Sequence, residues 1–355
     1  MLEAKNVLTI GIDYHVVHGG VAAVENVYST FYKPFNHVAT VVDYGAARKL
    51  LTFFKAYAEF WHWMLFHKEI QIVHVHGASD ASFWRKRIFV NIAKMFGKKV
   101  VYHCHGAEFK QFANQHYGAV SKFLKKCDCI IALSESWKGW FEDTFHYPHV
   151  VVVKNVINMP KVSKIEHSCF TMLFLGRLGK RKGIYDLLEV ICNHKNDFRN
   201  KLKVLLGGDG DIEIVKSIIA ENNLADIVEY KGWVSGEMKA DLFNQSDAYI
   251  LPSYNEGLPI SVLEAMSYSL PVISTNVGGI PEILKNGQNG FIVEPGDKKA
   301  IYDAIKQMMN NKTMCKNMGN KSKEMVSEHL PQFVEGQLTK LYADINGGAN
   351  LGYHM

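Results

Sequence analysis

The sequence predicts an α/β protein made of two Rossmann-like halves, each an open parallel sheet with helices on both faces. Three observations carry this. Short β-branched runs alternate with helical stretches from end to end, the rhythm that parallel sheets require. The series of strands starts afresh at Phe170. Between the two series lies Asn155–Ser168, NVINMPKVSKIEHS, a polar stretch with a proline and no period, which reads as an interdomain linker.

In the first half, Val7–Ile12, His37–Val42, Gln71–Val75, Lys99–Cys104 and Cys129–Leu133 read as strands. Val21–Phe31, Arg48–His67, Ser82–Phe96 and Tyr117–Lys126 read as the helices between them. In the second half the strands are Phe170–Leu175, Lys203–Leu206, Ile227–Lys231, Ala248–Leu251, Pro271–Ser274 and Phe291–Val293. The predicted boundaries are an N-terminal domain over 1–160 and a C-terminal domain over 161–330. A final helix and tail over 331–355 would pack back on the first domain.

The chain has 355 residues, 48% of them hydrophobic, enough for two domains of ordinary size. Its six cysteines are scattered without CxxC or zinc spacing, so buried free thiols in a reducing compartment are expected. MLEAKNVLTIGID moves straight into a strand and lacks the layout of a signal peptide. No run is long and apolar enough to predict a spanning helix. Charge is uneven: residues 1–160 hold 18 Lys+Arg against 12 Asp+Glu, and the remainder 22 against 23. Such a basic first half suggests an anionic partner, either nucleic acid or an acidic membrane.

In open α/β sheets ligands bind at the carboxyl ends of strands, so the loops there are read first. After the first strand, Gly19-Gly20 opens a helix and leaves bare backbone N–H groups that suit a phosphate. The dinucleotide fingerprint GxGxxG is missing at this position. In GRLGKRKG (Gly176–Gly183) the cations Arg177, Lys180, Arg181 and Lys182 crowd the loop before a helix. There they could neutralise a diphosphate, although Lys180 and Arg181 read as a solvated basic turn. The strand after it ends in Gly207-Gly208-Asp209-Gly210, where backbone can approach a ligand closely.

The stretch PSYNEGLPISVLE places Glu256 just before a helix and Glu264 within it. Pro259 fits the first turn of that helix, and Gly257 and Leu258 would present N–H groups at its positive end. The conjunction of strand, Gly-Leu-Pro and helix is the specific signal; two glutamates at a fixed spacing are not.

These segments together resemble the retaining glycosyltransferases of family 4, which have the GT-B fold. The likeness includes Glu256 and Glu264 as an EX7E pair within NEGLPISVLEAMSYSLPVISTNVGGIPEIL. It continues in GRLGKRKG, GGDG, the Gly232–Val234 step, NGFIVEPGD, the N-terminal Gly19-Gly20 and the HGAEF segment from His105. The resemblance implies that Glu256 binds hydroxyls of the donor sugar and Glu264 the nucleotide ribose. It implies that Arg177 and Lys182 hold the diphosphate, helped by Gly19, Gly20, Gly208, Gly257 and Leu258, with His105 beside the donor sugar. Glu256 and His105 are thus the expected catalytic residues. The donor would be a nucleotide sugar, by family habit UDP-linked. The acceptor would be a saccharide or polyprenyl-linked saccharide of polysaccharide assembly, including lipopolysaccharide and capsule. No metal or other cofactor is expected, the two cations standing in its place.

His74 and His76, and likewise His103 and His105, lie at alternate positions of one strand each, so every pair shares a face. Four imidazoles on neighbouring strands could in principle bind zinc, but core or supporting histidines are the simpler reading. The helix RKLLTFFKAYAEFWHWMLFHKE is apolar nearly all round, rich in aromatics and flanked by basic residues, and Phe83, Trp84, Arg85, Lys86 and Arg87 repeat that chemistry. Core packing and interfacial membrane contact both fit; the basic first half favours contact with an anionic membrane. The expected location is cytoplasmic, peripheral on the inner face of the cell membrane. A GT-B sugar-nucleotide epimerase or hydrolase is the main rival. A nucleic-acid or nucleotide-binding module offers no reason for the paired glutamates and shows no recognition helix, so no nucleic acid is expected as a partner.

Overall fold

The computed structural model describes residues 4–16, 19–42, 45–165 and 167–347. Val17 and His18 of the first glycine loop, Glu166 of the predicted linker and the tail beyond Gly347 lie outside the described residues. The chain divides into two compact units. One takes the residues up to Asn158 together with those from Glu328 onward, and the other is Met159–Ser327.

The first unit holds β1 (Val7–Gly11), β2 (Asn36–Ala39), β3 (Ile72–Gly77), β4 (Lys99–Cys104), β5 (Cys129–Ala132) and β6 (Val150–Val152). All pair in parallel, in the order β2-β1-β3-β4-β5-β6. β1 and β3 are buried along their whole length, the consequence of helices on both faces of a parallel sheet. The helix Ala46–Phe66 turns Ala56, Phe60 and Met64, spaced by four, into the core. Phe60 meets Phe89 edge-on at 5.2 Å. Burial of each such ring contributes about 1.5–3 kcal/mol.

Several elements differ from expectation. The helix Tyr117–Leu124 is preceded by a separate one, Phe109–Gln115, which buries Phe109 and Phe112. A further helix, Glu135–Phe145, starts where Ser134 Oγ accepts the Trp137 N–H at 3.3 Å. It leads to β6, a sheet-edge strand that the sequence reading did not include. The last helix, Pro331–Gly347, packs on the helix Gly20–Phe31 and carries Tyr342 to His74, where Tyr342 Oη and His74 Nδ1 lie 2.6 Å apart.

The second unit holds β7 (Phe170–Leu175), β8 (Leu202–Gly207), β9 (Val228–Tyr230), β10 (Ala248–Leu251), β11 (Val272–Thr275) and β12 (Gly290–Val293). They pair in parallel in the order β12-β11-β10-β7-β8-β9. From β7 the chain winds toward β9, then returns to β10 and winds toward β12. The order therefore reverses between β7 and β10, and such a point opens a crevice at the strands' carboxyl ends. In the first unit the same reversal falls between β1 and β3.

Candidate active site

The loop after β7 starts at Gly176, whose N–H donates to Gly207 O at 3.0 Å and so extends the strand pairing by one residue. Exposed Arg177 follows, and Leu178 then bridges to Gly210 in the loop after β8. Gly208 sits in that second loop, donating to Gly232 O at 2.9 Å and accepting from Tyr230 Oη at 2.8 Å. The basic residues Lys180–Lys182 form one turn of 3-10 helix that ends at Gly183, with φ +73°. A Cβ on Gly183 would overlap the Pro252 carbonyl, so only glycine lets this turn press on the loop after β10.

That contact sets the central feature of the unit. Lys182 Nζ lies 2.6 Å from Glu256 Oε1, an ion pair across the reversal point with both side chains largely shielded from solvent. Arg181 braces it: its carbonyl accepts the Tyr254 N–H at 2.8 Å, and its Nη1 donates to Asn255 O at 3.0 Å. Arg181 is thus a clamp between two loops and not the solvated turn residue expected of it. A third loop, after β11, closes on the same place. The Gly279 N–H donates to Gly257 O at 2.6 Å, and Gly278, at φ +57°, passes so near Glu256 O that a Cβ would overlap it.

Pro259 corrects the sequence reading. It is the cap of the helix Ile260–Ser267, not a member of its first turn, because its ψ of 122° is extended. Its carbonyl opens the helical ladder by accepting from the Val262 N–H at 3.2 Å. Gly257 and Leu258 are buried ahead of that cap. Glu264, in the helix's second turn, pairs with Lys239 Nζ at 2.6 Å, and both side chains keep about a quarter of their surface open. Nothing in the spacing of the sequence announced Lys239 or the bracing role of Arg181. The doublet Gly278-Gly279 did stand in the quoted motif and marks a close backbone approach.

In the first unit, exposed Gly19 and Gly20 begin the helix Gly20–Phe31. His105 lies just past β4, partly buried, with its N–H donating to Gly77 O at 2.8 Å. The other three imidazoles are wholly buried. His74, His76 and His103 each bring one ring nitrogen within 4.8 Å of the other two. His74 Nε2 is 3.3 Å from His103 Nδ1, and His76 Nδ1 is 2.9 Å from His105 Nε2. Burial holds the ladder neutral, pushing His74 and His105 down to about 3 and His76 and His103 well below the ordinary value.

Two charges that sequence reasoning missed or misplaced flank β1. Glu25 is buried, accepting from the Ile12 N–H and from His37 Nε2, each at 3.0 Å. Lys86, read as a membrane-facing residue, is also buried and donates to Gly11 O at 2.7 Å and Ile10 O at 3.0 Å. Phe83 needs the same correction, being fully buried. Helical phase is the reason: residues 83, 86, 90 and 93 share the inward face of the helix Asp80–Met95. Trp84 stays exposed, Arg85 and Arg87 partly so, and Arg87 lies over the Trp84 ring at 5.6 Å.

Comparison with known proteins accords with this geometry. Residues 10–160 match the family model for Glycosyltransferase Family 4, and residues 156–325 that for Glycosyl transferases group 1. The chain is 26% identical over 191 residues to the capsular polysaccharide biosynthesis glycosyltransferase CapM of Staphylococcus aureus, an alignment of 51% of this chain and 48% of CapM. Across eight curated relatives it spans between 47% and 74% of their length. Among solved structures, a sucrose-phosphate synthase from Thermosynechococcus elongatus shares the fold with a TM-score of 0.79 at 16% identity, over 97% of this chain and 99% of that one. Anabaena HepE, solved with UDP and glucose, gives 0.75 at 14% identity, over 95% and 99%. With both halves matched in sequence and the fold shared along nearly its whole length, the chain belongs to the family 4-like glycosyltransferases of the GT-B fold.

Proposed function

We propose that this protein is a retaining glycosyltransferase that moves a hexose-type sugar from a UDP-sugar to a saccharide or polyprenyl-linked saccharide in polysaccharide assembly. The observation that carries the reading is the Lys182–Glu256 pair at the β7–β10 reversal, flanked by Arg177 and by the glycine loops. Departure of a nucleoside diphosphate builds negative charge on the leaving phosphate and positive charge on the sugar. Cations held in place beforehand stabilise that separation without reorganising, which is the largest contribution such a site can make. Lys182 would exchange part of its contact with Glu256 for the phosphate. Glu256, so released, would accept from sugar hydroxyls, and Glu264 would bind the ribose. Arg177 and Lys182 supply the positive charge, so the reaction needs no metal. Retention follows if the acceptor hydroxyl attacks the face that the phosphate leaves, giving up its proton to the departing oxygen. The names and ligands of CapM and HepE agree in direction.

The test is a donor screen by thermal shift and turnover with UDP- and GDP-sugars, with and without saccharide acceptors. Acceptor-dependent release of UDP with retained anomeric configuration is the expected result. Free sugar or an epimer formed at the same rate without acceptor would overturn the transferase reading in favour of a hydrolase or epimerase.

The acceptor reading includes a membrane partner. Among the described residues no helix is long and apolar enough to cross a membrane. The helix Ala46–Phe66 is apolar on two faces, however. Opposite its core face, positions 47, 51, 54, 58, 62 and 65 form an exposed stripe, with Leu51 69% and Phe54 59% exposed. Exposed Arg48, Lys49 and Lys55 flank it. Such a face suits the boundary between headgroups and acyl chains of an anionic leaflet. Flotation with anionic vesicles should show salt-sensitive binding that falls in the double variant Leu51→Ser/Phe54→Ser; no flotation of the unaltered protein removes the membrane partner.

A further inference from the structure

We infer that His76, backed by Glu25, is a positioning residue that fixes His105 as the neutral tautomer with its proton on Nδ1, so that His105 serves as a hydrogen-bond donor. The inference rests on the proposed glycosyl transfer for its functional consequence, but the tautomer itself does not.

The two rings meet edge to edge. Their planes differ by 8°, their centroids are 5.0 Å apart, and the facing nitrogens, His76 Nδ1 and His105 Nε2, are 2.9 Å apart. At that separation one of the two nitrogens carries the shared hydrogen and the other accepts it. Both rings are kept neutral by burial, so the second proton that would make the contact repulsive is absent.

Two features decide which nitrogen holds the hydrogen. The first is Glu25. Its Oε2 is satisfied by Ile12 N–H and His37, but its Oε1 has no hydrogen-bond partner among the described residues and lies 3.7 Å from His76 Nδ1. A bare nitrogen lone pair beside that oxygen brings negative charge next to negative charge, whereas an N–H brings positive charge next to it. The second is His76 Nε2, which is buried without a hydrogen-bond partner among the described residues. A proton on Nε2 would leave an unpaired buried donor, costlier than the unpaired lone pair left when the proton sits on Nδ1. Both arguments place the hydrogen on His76 Nδ1, donating to His105 Nε2. His105 then holds its own proton on Nδ1.

The backbone is shaped to permit this. Gly11 lies under the Glu25 carboxylate, and a Cβ at Gly11 would overlap both carboxylate oxygens. Lys86 on the other side of β1 supplies a positive charge that offsets Glu25. His37, Ile12 and Gly11 thus hold Glu25, Glu25 biases His76, and His76 sets His105.

Nitrogen-15 NMR of the full-length protein labelled at histidine reads the tautomer directly. The expected spectrum has His105 with a pyrrole-like Nδ1 and a pyridine-like Nε2, assigned by its loss in His105→Gln. The reverse pattern in the unaltered protein overturns the inference, whatever the enzyme's activity. His76→Asn keeps an amide N–H near the position of Nδ1 and should keep both the tautomer and most of the turnover. His76→Phe should let His105 take the other tautomer and lower kcat about three- to tenfold, the worth of one hydrogen bond, with little change in donor KM. A folded His76→Phe protein whose His105 keeps the proton on Nδ1 also overturns it. Failure of the unaltered protein to transfer any sugar would instead count against the proposed function and leave the NMR result standing.

Discussion

The two units wind their sheets in the same way and open a crevice at the same topological point, yet they fill it differently. Between β7 and β10 the charged groups sit on loops and face one another, Lys182 keeping 14% of its side chain open and Glu256 5%. Between β1 and β3 the charges are wholly buried and the imidazoles neutral. A pair on loops can trade one partner for a charged ligand that takes its place. A buried charge cannot leave its partners without an uncompensated penalty of several kcal/mol. The same architecture therefore yields one surface suited to exchange and one suited to holding a geometry.

Substitutions can break this contrast. The largest effect on activity is expected from Lys182→Ala and Glu256→Ala, each lowering kcat/KM by about a hundredfold or more in a protein that still folds. A folded variant with near-normal turnover would remove the site assignment. Gly183→Ala should be as damaging by a different route, because its Cβ collides with Pro252 and separates the two loops. Glu25→Ala should act through stability instead, costing about 3–5 kcal/mol below about pH 7, where Lys86 is charged and loses its counter-charge, as read by urea unfolding.

Acidity sharpens the comparison. Below the ordinary histidine value the unfolded chain binds protons that His74 and His105 refuse until about pH 3. Stability of the first unit should therefore fall as pH drops through about 6.5, by up to about 1.4 kcal/mol per pH unit for each ring. Lys86 acts at the other end, since burial lowers it to about 7. Above that point the unfolded chain still holds the proton, so the contribution of Lys86 to stability rises toward about pH 10. Five of the six tryptophans (Trp61, Trp63, Trp84, Trp137 and Trp140) lie in the first unit, so fluorescence follows its unfolding. Lys86→Met should flatten the alkaline rise. The smallest effect is expected from Arg181→Ala, about a threefold loss in turnover, for one lost hydrogen bond between loops.

Much of the fold was legible because a parallel sheet buries both faces of its strands and leaves nearly continuous apolar runs. Lys99–Cys104, Phe170–Leu175 and Ala248–Leu251 are bounded in the structure as the sequence suggests. The segments around Glu256 and Gly176–Gly183 were legible for a related reason: glycines mark where backbones touch, and the charges cluster between them. Pairings across long stretches of chain were not. Glu264 with Lys239, Arg181 with Asn255 and Glu25 with His76 depend on which helices become neighbours, which local pattern does not encode. Lys86 was misread because FWRKR has the composition of a membrane face, and composition carries no information about helical phase.

The helix Pro331–Gly347 gives the first unit an order of assembly. That unit is interrupted in sequence by the whole of the second, and Tyr342, the partner of buried His74, emerges only after both. During synthesis the second unit can close as soon as its last strand and helices have left the ribosome, while the first waits with one face of the helix Gly20–Phe31 uncovered. A released chain truncated after Ser327 should therefore resist protease in its second unit and remain cleavable in its first.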